Sequence, residues 1–321
     1  MADRTLKTKT IYTKNIRAGE KISESFLVTE KNLAFSQKGS PYLNLRLKDK
    51  TGEMEGKIWE NATELDKQFK RGDIVHVQSR AVSFKNMIQL SINEIRKMED
   101  SEVNPADYFP AAGRDIEEIF QEMMSYVEDI NTPCLKSLLE EFFKDDSTAI
   151  LFKKAPAAKS FHHVYIGGLL EHTLSVVRLL KTVADHYPGV DRDILITGGL
   201  LHDIGKIYEF SYDRVIDYSD QGRLIGHIVI GIEMLNAKIA AIKDFPDALA
   251  MELRHLILSH HGSQEFGSPK RPKTLEALIV HHIDDLDAKV NAFQGFIEES
   301  RDEDSSWTTF HRLLDRFIYK G

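Results

Sequence analysis

PYLNLRLKDKTGEMEGKIW, residues 41–59, alternates apolar and polar side chains through its first half, the period of a half-buried strand. Leu43, Leu45 and Leu47 fall on one face, and Tyr42, Asn44, Arg46 and Lys48 on the other. Asp49-Lys50-Thr51-Gly52 supplies a turn, and 53–59 reads as the returning strand. Working outward, 22–33 is a mixed apolar run on the N-terminal side. On the other side a short helix is expected over 62–69. Arg71-Gly72-Asp73 then turns into a strand over 73–84, and Lys85-Asn86 into another over 87–98.

Five strands with a helix between the third and fourth are the order of an OB-fold barrel. The chain after it changes character. Residues 99–113 (EDSEVNPADYFPAAG) are acidic and carry two prolines and a glycine, so a linker is expected over 101–113. From Arg114 onward Ile116, Ile119, Phe120, Met123, Met124 and Val127 recur at helical spacing. Further helices are expected at 134–144, 147–154, 168–186, 192–204, 227–243, 247–261, 274–296 and 306–318. The expected architecture is multidomain α and β: a five-stranded barrel over 1–100, a linker, and an all-α domain over 114–321.

The 321 residues suffice for two domains, and 42% hydrophobic with 29% charged residues is an ordinary globular balance. No apolar run approaches the ~18 residues of a membrane span, and the polar start MADRTLKTKT lacks a secretory segment. The single cysteine, Cys134, excludes an intrachain disulfide and a thiolate cluster, which favours a cytoplasmic location. Any metal must therefore be held by carboxylates and the 13 histidines. The net charge of −8 speaks against nucleic acid when taken whole. Its distribution does not: residues 1–100 carry 19 Lys and Arg against 14 Asp and Glu, a net of +5, leaving −13 for the rest. A basic first half fits a polyanion, and an acidic second half fits metal cations.

The second half places His and Asp at helix starts and ends. His172 lies early in an apolar helix (GGLLEHTLSVV), and His202-Asp203 ends one (GGLLHDIGK), with Gly205 as the expected terminator. His227 opens GHIVIGIEML, His260-His261 closes RHLILSHHG ahead of Gly262, and Asp284 lies in HHIDDLDAKV. The gaps of 30, 24, 33 and 23 residues each allow one helical hairpin to return the chain to a common point. Adjacent residues inside a helix diverge by about 100° and cannot both aim at that point, a restriction that a helix end relaxes. Apolar neighbours around His202-Asp203 demand a partner for both groups, because unpaired burial costs several kcal/mol. An ordinary salt bridge meets that demand for one pair but not for the whole ordered set. A phosphodiester repels hydroxide, and two divalent cations offset its charge and bring the pKa of a shared water toward about 7. Imidazole and carboxylate ligands suit Mn, Co, Fe, Ni or Zn.

In this order His172, His202-Asp203 and Asp284 resemble the HD superfamily of metal-dependent phosphohydrolases, and the additional His227 and His260 resemble its two-metal branch. HIVIGIEML and HHIDDLDAKV look like the HPxxGxxxL and ADxxDA segments of HD-GYP cyclic-dinucleotide phosphodiesterases, which makes Asp284 rather than Asp285 the ligand. Two departures separate the chain from that group: HHGSQEFGSPKRP has Gly-Ser-Pro in place of Gly-Tyr-Pro, and Gly168 stands where a third metal would need a carboxylate. The whole chain instead resembles YhaM-type 3′→5′ exoribonucleases, which also place an OB-fold ahead of an HD domain. FHHVYIGGLLEHT, LLHDIGK, LSHHG with EFGSP, and HHIDDLDAKV carry that resemblance. It implies removal of nucleotides from the 3′ end of single-stranded RNA, and often single-stranded DNA, supported by Mn or Co.

The resulting expectations are specific. His172, His202, Asp203 and Asp284 hold one metal. Asp203, His227 and His260 or His261 hold the second. Lys206 either neutralises a phosphate oxygen or is a solvated helix-terminal cation. His162 contacts substrate and His163 protonates the leaving oxygen, or both are structural. In the barrel Tyr42, Arg46, Lys48, Lys57, Trp59, Phe84 and Lys85 are the candidates for gripping a single strand by charge and stacking. An apolar stripe on the expected last helix (Trp307, Phe310, Leu313, Leu314, Phe317) packs on the core or on a second subunit of a homo-oligomer. Two other readings compete: an HD phosphohydrolase or phosphodiesterase acting on a small nucleotide or cyclic dinucleotide, and a non-catalytic single-strand-binding module.

Overall fold

The long first strand of the barrel pairs with a different neighbour through each half, and this double pairing closes the sheet. The computed structural model describes residues 9–85, 87–104, 107–108, 114–158, 165–211, 216–300, 305–312 and 314–321. Near residue 111 the chain divides into two compact units. In the first, β1 (Lys21–Phe35) pairs antiparallel with β4 (Ile74–Phe84) through its first half. Through its second half it pairs with β2 (Pro41–Asp49), past an irregularity between Val28 and Glu30. β2 continues to β3 (Gly52–Ile58), β3 lies parallel to β5 (Met87–Lys97), and β5 returns to β4. The result is a closed barrel of order β1-β2-β3-β5-β4, and a closed barrel leaves no sheet edge exposed.

The alternation read from residues 41–49 is realised: Leu43, Leu45 and Leu47 are fully buried among Phe26, Val75, Val77 and Leu90. Asp49, expected only as a turn residue, also points inward. It accepts from the backbone N–H and hydroxyl of Thr13 (both 2.8 Å) and pairs with buried Lys9 at 3.4 Å. The expected helix over 62–69 is shorter, α1 (Ala62–Leu65), with Phe69 buried beyond it. The turn residue Asn86 lies outside the described residues.

The segment expected to be a linker is, as far as Tyr108, part of the barrel unit. Val103 and Tyr108 are buried against Leu27, Ile74 and Met98. The Tyr108 hydroxyl donates to Ser25 Oγ (2.6 Å) and the Tyr12 hydroxyl to Asp107 (2.7 Å).

The second unit is helical: α2 (Ile116–Glu128), α3 (Pro133–Phe143), α4 (Asp146–Lys154), α5 (Gly168–His186), α6 (Arg192–Leu201), α7 (Lys206–Glu209), α8 (Asp220–Leu224), α9 (His227–Ala241), α10 (Asp247–Ser259) and α11 (Leu275–Glu299). A two-stranded ribbon, β6 (Phe210–Ser211) with β7 (Asp217–Tyr218), follows α7. Asp115, Asp145 and Asp191 cap the N-termini of α2, α4 and α6 by accepting backbone N–H groups. One core runs through the unit, with Phe142, Phe152, Leu169, Val176, Leu195, Leu200 and Leu256 at its centre. α5, α6 and α11 pack on one another, which brings the candidate ligands they carry together. Among the described residues no helix is long and apolar enough to cross a membrane.

The expected helix over 306–318 is not formed. Trp307 bridges to Tyr319 and His311 to Arg316, a short antiparallel return about Asp315, whose φ of 52° no continuous helix admits. Trp307 packs at a tilt against Tyr319 and Phe310 edge-on against Phe317, so cross-strand aromatic pairs replace the helical stripe. Thr308, Leu314 and Ile318 face inward, and Leu313 lies outside the described residues.

In the barrel, Tyr108→Ala is expected to lower stability by about 3–5 kcal/mol, the usual cost of emptying an aromatic site. Tyr108→Phe, which loses only the bond to Ser25, should cost about 1 kcal/mol. Urea unfolding followed by Trp59 fluorescence in a Trp307→Phe background measures both.

Candidate metal centre

α6 stops at Leu201, two residues before the expected metal bridge, and the break has a local cause. His202 folds its Nδ1–H back onto the carbonyl of Gly199 (2.8 Å), one of the last-turn carbonyls that a helix leaves without a partner. The chain then turns through Asp203, Ile204 and Gly205 before α7 begins. Gly205 follows the helix end as expected, with φ −63° rather than the left-handed value common to terminating glycines. Glycine is required there because a Cβ would stand 2.0 Å from the carbonyl oxygen of His227. The close approach brings the start of α9 against the end of α6. Gly262 does terminate as expected, with φ +78° after α10.

Asp203 is the centre of the arrangement. Its Oδ2 lies 3.4 Å from His202 Nε2 and 3.6 Å from His172 Nε2, while Asp284 Oδ1 is 3.1 Å from His172 Nε2. Its Oδ1 faces the other way, 3.5 Å from both His227 Nε2 and His260 Nε2. Two groups of four result, His172-His202-Asp203-Asp284 and Asp203-His227-His260-His261. In each, one ligand atom per residue lies within 4.8 Å of the others. Both His260 and His261 belong to the second group. Asp285 points elsewhere, paired with Lys289 at 2.7 Å.

The donor set fits divalent cations. Asp203 Oδ1, His227 Nε2 and His260 Nε2 are buried with no hydrogen-bond partner among the described residues. Leaving such atoms unsatisfied costs about 1–3 kcal/mol each. Ligand atoms roughly 2.1 Å from one cation stand about 3–3.5 Å apart, close to the separations around Asp203.

The sequence reading missed the residues that orient these ligands. His172 Nδ1 meets Asp287 Oδ2 at 2.7 Å, and Ser175 Oγ donates to the other oxygen of Asp287. His227 Nδ1 and its backbone N–H both donate to Glu209 Oε1 (2.9 and 3.0 Å). His260 Nδ1 takes the carbonyl of Ile257 (2.7 Å). The spacing of Asp287, three after Asp284, was a signal of a shared helix face; Glu209 carried none. Lys206 is not the solvated cation that one reading allowed: it is 8% exposed, with Nζ 2.6 Å from Asp203 Oδ2. His162 and His163 lie outside the described residues.

Burial disfavours charge throughout the cluster, yet the group of His172, His202, Asp203 and Asp284 retains it. For His202 burial is outweighed by Asp203 and Asp284, which lift its pKa to about 10. For His172 burial is outweighed by Asp284 and Asp287, and its pKa also rises. Asp203 and Asp284 fall well below the carboxylate range despite burial, Asp203 through Lys206 and His202, Asp284 through His172 and His202. His261 is driven the other way, to about 3, by burial and by neighbouring His260 and His227.

On the barrel, five of the seven candidates form one patch. Tyr42 and Trp59 stack at 4.7 Å and 25°. Lys57 Nζ lies 6.0 Å from the Tyr42 ring and 5.5 Å from Phe84, and Lys85 Nζ is 5.6 Å from Phe84. Trp59 and Phe84 are 52% and 51% exposed, so neither belongs to the core. Arg46 and Lys48 lie further along the same face of β2, and Arg46 is held between Glu30 (3.5 Å) and Glu53 (3.9 Å).

A closed barrel of this strand order with a helical unit carrying two His/Asp groups defines an OB-fold protein with an HD domain. A family profile described as HD domain matches residues 169–289, and one described as OB-fold nucleic acid binding domain matches residues 27–98. The chain is 33% identical over 303 residues to 3′-5′ exoribonuclease YhaM of Bacillus subtilis (strain 168), covering 94% of this chain and 95% of that protein. It belongs to the YhaM family. Among solved structures, the second OB-fold domain of replication protein A from Methanococcus maripaludis matches 28% of this chain and 95% of that one (21% identity, TM-score 0.24). The mitochondrial single-stranded DNA binding protein Rim1 from S. cerevisiae matches 26% and 98% (14% identity, TM-score 0.22).

Protonated imidazoles cannot ligate a cation, so loading the centre must expel protons. Because the pKa of His202 is raised to about 10, its proton competes with metal across the neutral range. Apparent affinity is expected to rise with pH toward that value, with net release of about one proton or more. Calorimetry in buffers of different ionisation enthalpy measures the release.

Proposed function

We propose that the protein is a divalent-metal-dependent exonuclease that removes nucleotides from the 3′ end of single-stranded RNA and accepts single-stranded DNA. The observation that carries this reading is the carboxylate of Asp203, with one oxygen facing each group of ligands. His172, His202, Asp203 and Asp284 would hold one cation, and Asp203, His227, His260 and His261 the other. Bound there, two divalent cations supply charge neutralisation at the phosphodiester and an activated water. Manganese is the metal we assign. Two carboxylates and two imidazoles suit it in the first group, while the three imidazoles of the second also suit Co, Fe, Ni or Zn.

The rest is the work of the chain. Lys206 holds Oδ2 of Asp203 and so fixes the rotation that keeps each oxygen on its own side. Its buried ammonium adds positive charge where a phosphate must approach. His163 is assigned to protonate the leaving 3′ oxygen and His162 to contact substrate, both from sequence position alone. The patch of Tyr42, Trp59, Phe84, Lys57 and Lys85 offers aromatic faces for bases and ammonium groups for phosphates, the combination that grips single strands without reading sequence. The lone Cys134 fits a cytoplasmic enzyme.

Incubating a 5′-labelled single-stranded RNA with the protein and Mn should give a descending ladder, and Asp203→Asn should reduce it to background. An intact band, with turnover of a cyclic dinucleotide instead, would transfer the reading to small-nucleotide hydrolysis.

Trp59→Ala is expected to weaken oligonucleotide binding by about 1–3 kcal/mol while leaving hydrolysis of a small phosphodiester unchanged. Fluorescence anisotropy beside a chromogenic ester assay measures the two effects.

A further inference from the structure

The candidate ligands orient their imidazoles in two different ways, and the difference follows from where each sits on its helix. His202 and His260 come directly after α6 and α10. Each has last-turn carbonyls within reach, and each spends Nδ1 on one of them, Gly199 O at 2.8 Å and Ile257 O at 2.7 Å. His227 opens α9, where the backbone offers N–H groups rather than carbonyls. His172 lies inside the first turns of α5, where the carbonyls are committed to the helix. Both need an acceptor from another element. For His172 it is Asp287 of α11 (2.7 Å), and for His227 it is Glu209 of α7 (2.9 Å).

We propose that Asp287 and Glu209 are positioning residues, each governing occupancy of one ion group: Asp287 that of His172, His202, Asp203 and Asp284, and Glu209 that of Asp203, His227, His260 and His261. The proposal rests on the two-metal reading above. An ionised carboxylate only accepts, so each holds the proton on Nδ1 and leaves Nε2 facing the ions. His172 is gripped at both nitrogens from one helix, by Asp284 Oδ1 at Nε2 (3.1 Å) and by Asp287 one turn later at Nδ1. Asp287 is itself fixed by the hydroxyl of Ser175, three residues after His172. Glu209 takes the backbone N–H as well as the ring N–H of His227, which sets the start of α9 and the ring together. The hydrogen bonds of Asp287 run to His172 and Ser175 and those of Glu209 to His227, so each carboxylate orients a histidine of a different group. Loss of such a carboxylate typically lowers metal affinity about 10–100-fold.

The test titrates Mn(II) into metal-stripped full-length protein and follows free Mn by electron paramagnetic resonance. The unaltered chain should take up two ions; failure to bind any would refute the two-metal reading itself before variants are compared. Asp287→Ala and Glu209→Ala should each keep one ion at the original affinity and bind the other about 10–100-fold more weakly. Anomalous scattering at the Mn edge should show opposite groups emptied in the two variants. Asp287→Asn and Glu209→Gln retain an accepting oxygen, and the affinity loss should shrink; they also serve if the alanine variants do not fold. A purely structural role would lower the melting temperature of the metal-free protein and weaken both ions alike. Equal loss of both ions in either variant, or no change in any, overturns the proposal.

Discussion

A single carboxylate between two sets of imidazoles organises the helical unit. Asp203 is almost fully buried, and a buried carboxylate is tolerated only where its charge is matched. Here Lys206 and His202 both match it at Oδ2, and Oδ1 is still left unsatisfied. The surrounding helices are arranged to bring partners to that atom. α6 breaks beside it, α9 starts against the break, α10 ends at it, and α11 lays Asp284 across from it. His202-Asp203, His227 and His260-His261 come from helix ends, where neighbouring residues can aim at one point, while His172 and Asp284 reach in singly from within α5 and α11.

The same logic explains what was readable in the sequence. Leu43, Leu45 and Leu47 could be placed inside the barrel because a period of two has one physical meaning. His172, His202, Asp203, His227, His260 and Asp284 could be grouped because apolar helices do not otherwise end in such residues. Resemblance to a known family supplied the choice of Asp284 over Asp285, which spacing alone did not. His260 and His261, between which the sequence offered no choice, both fall in the second group, since a helix end presents both.

Other features depended on contacts that no local pattern encodes. Glu209 reaches His227 across a strand pair and a short helix, and nothing about an isolated glutamate announces that. Gly205 looked like a terminator, yet its function is to let two backbones approach. The C-terminal aromatics recur at a spacing that suits a helix, but pairing across a tight return satisfies them equally, and the left-handed Asp315 decides between the two. Residues 103–108 have the composition of a linker while burying Tyr108, because burial of one aromatic ring outweighs the polarity of its neighbours.

The ligand groups are drawn from residue 172 to residue 284, across five helices. An unfolded chain holds those side chains too far apart to share an ion, so cations held by the two proposed groups would bind almost exclusively to the folded form. Mass action would then tie the lifetime of the molecule to ion supply: as free metal rises above the dissociation constant, the population open to proteases would shrink in proportion. A cell short of divalent metal would thus lose the protein itself as well as its turnover.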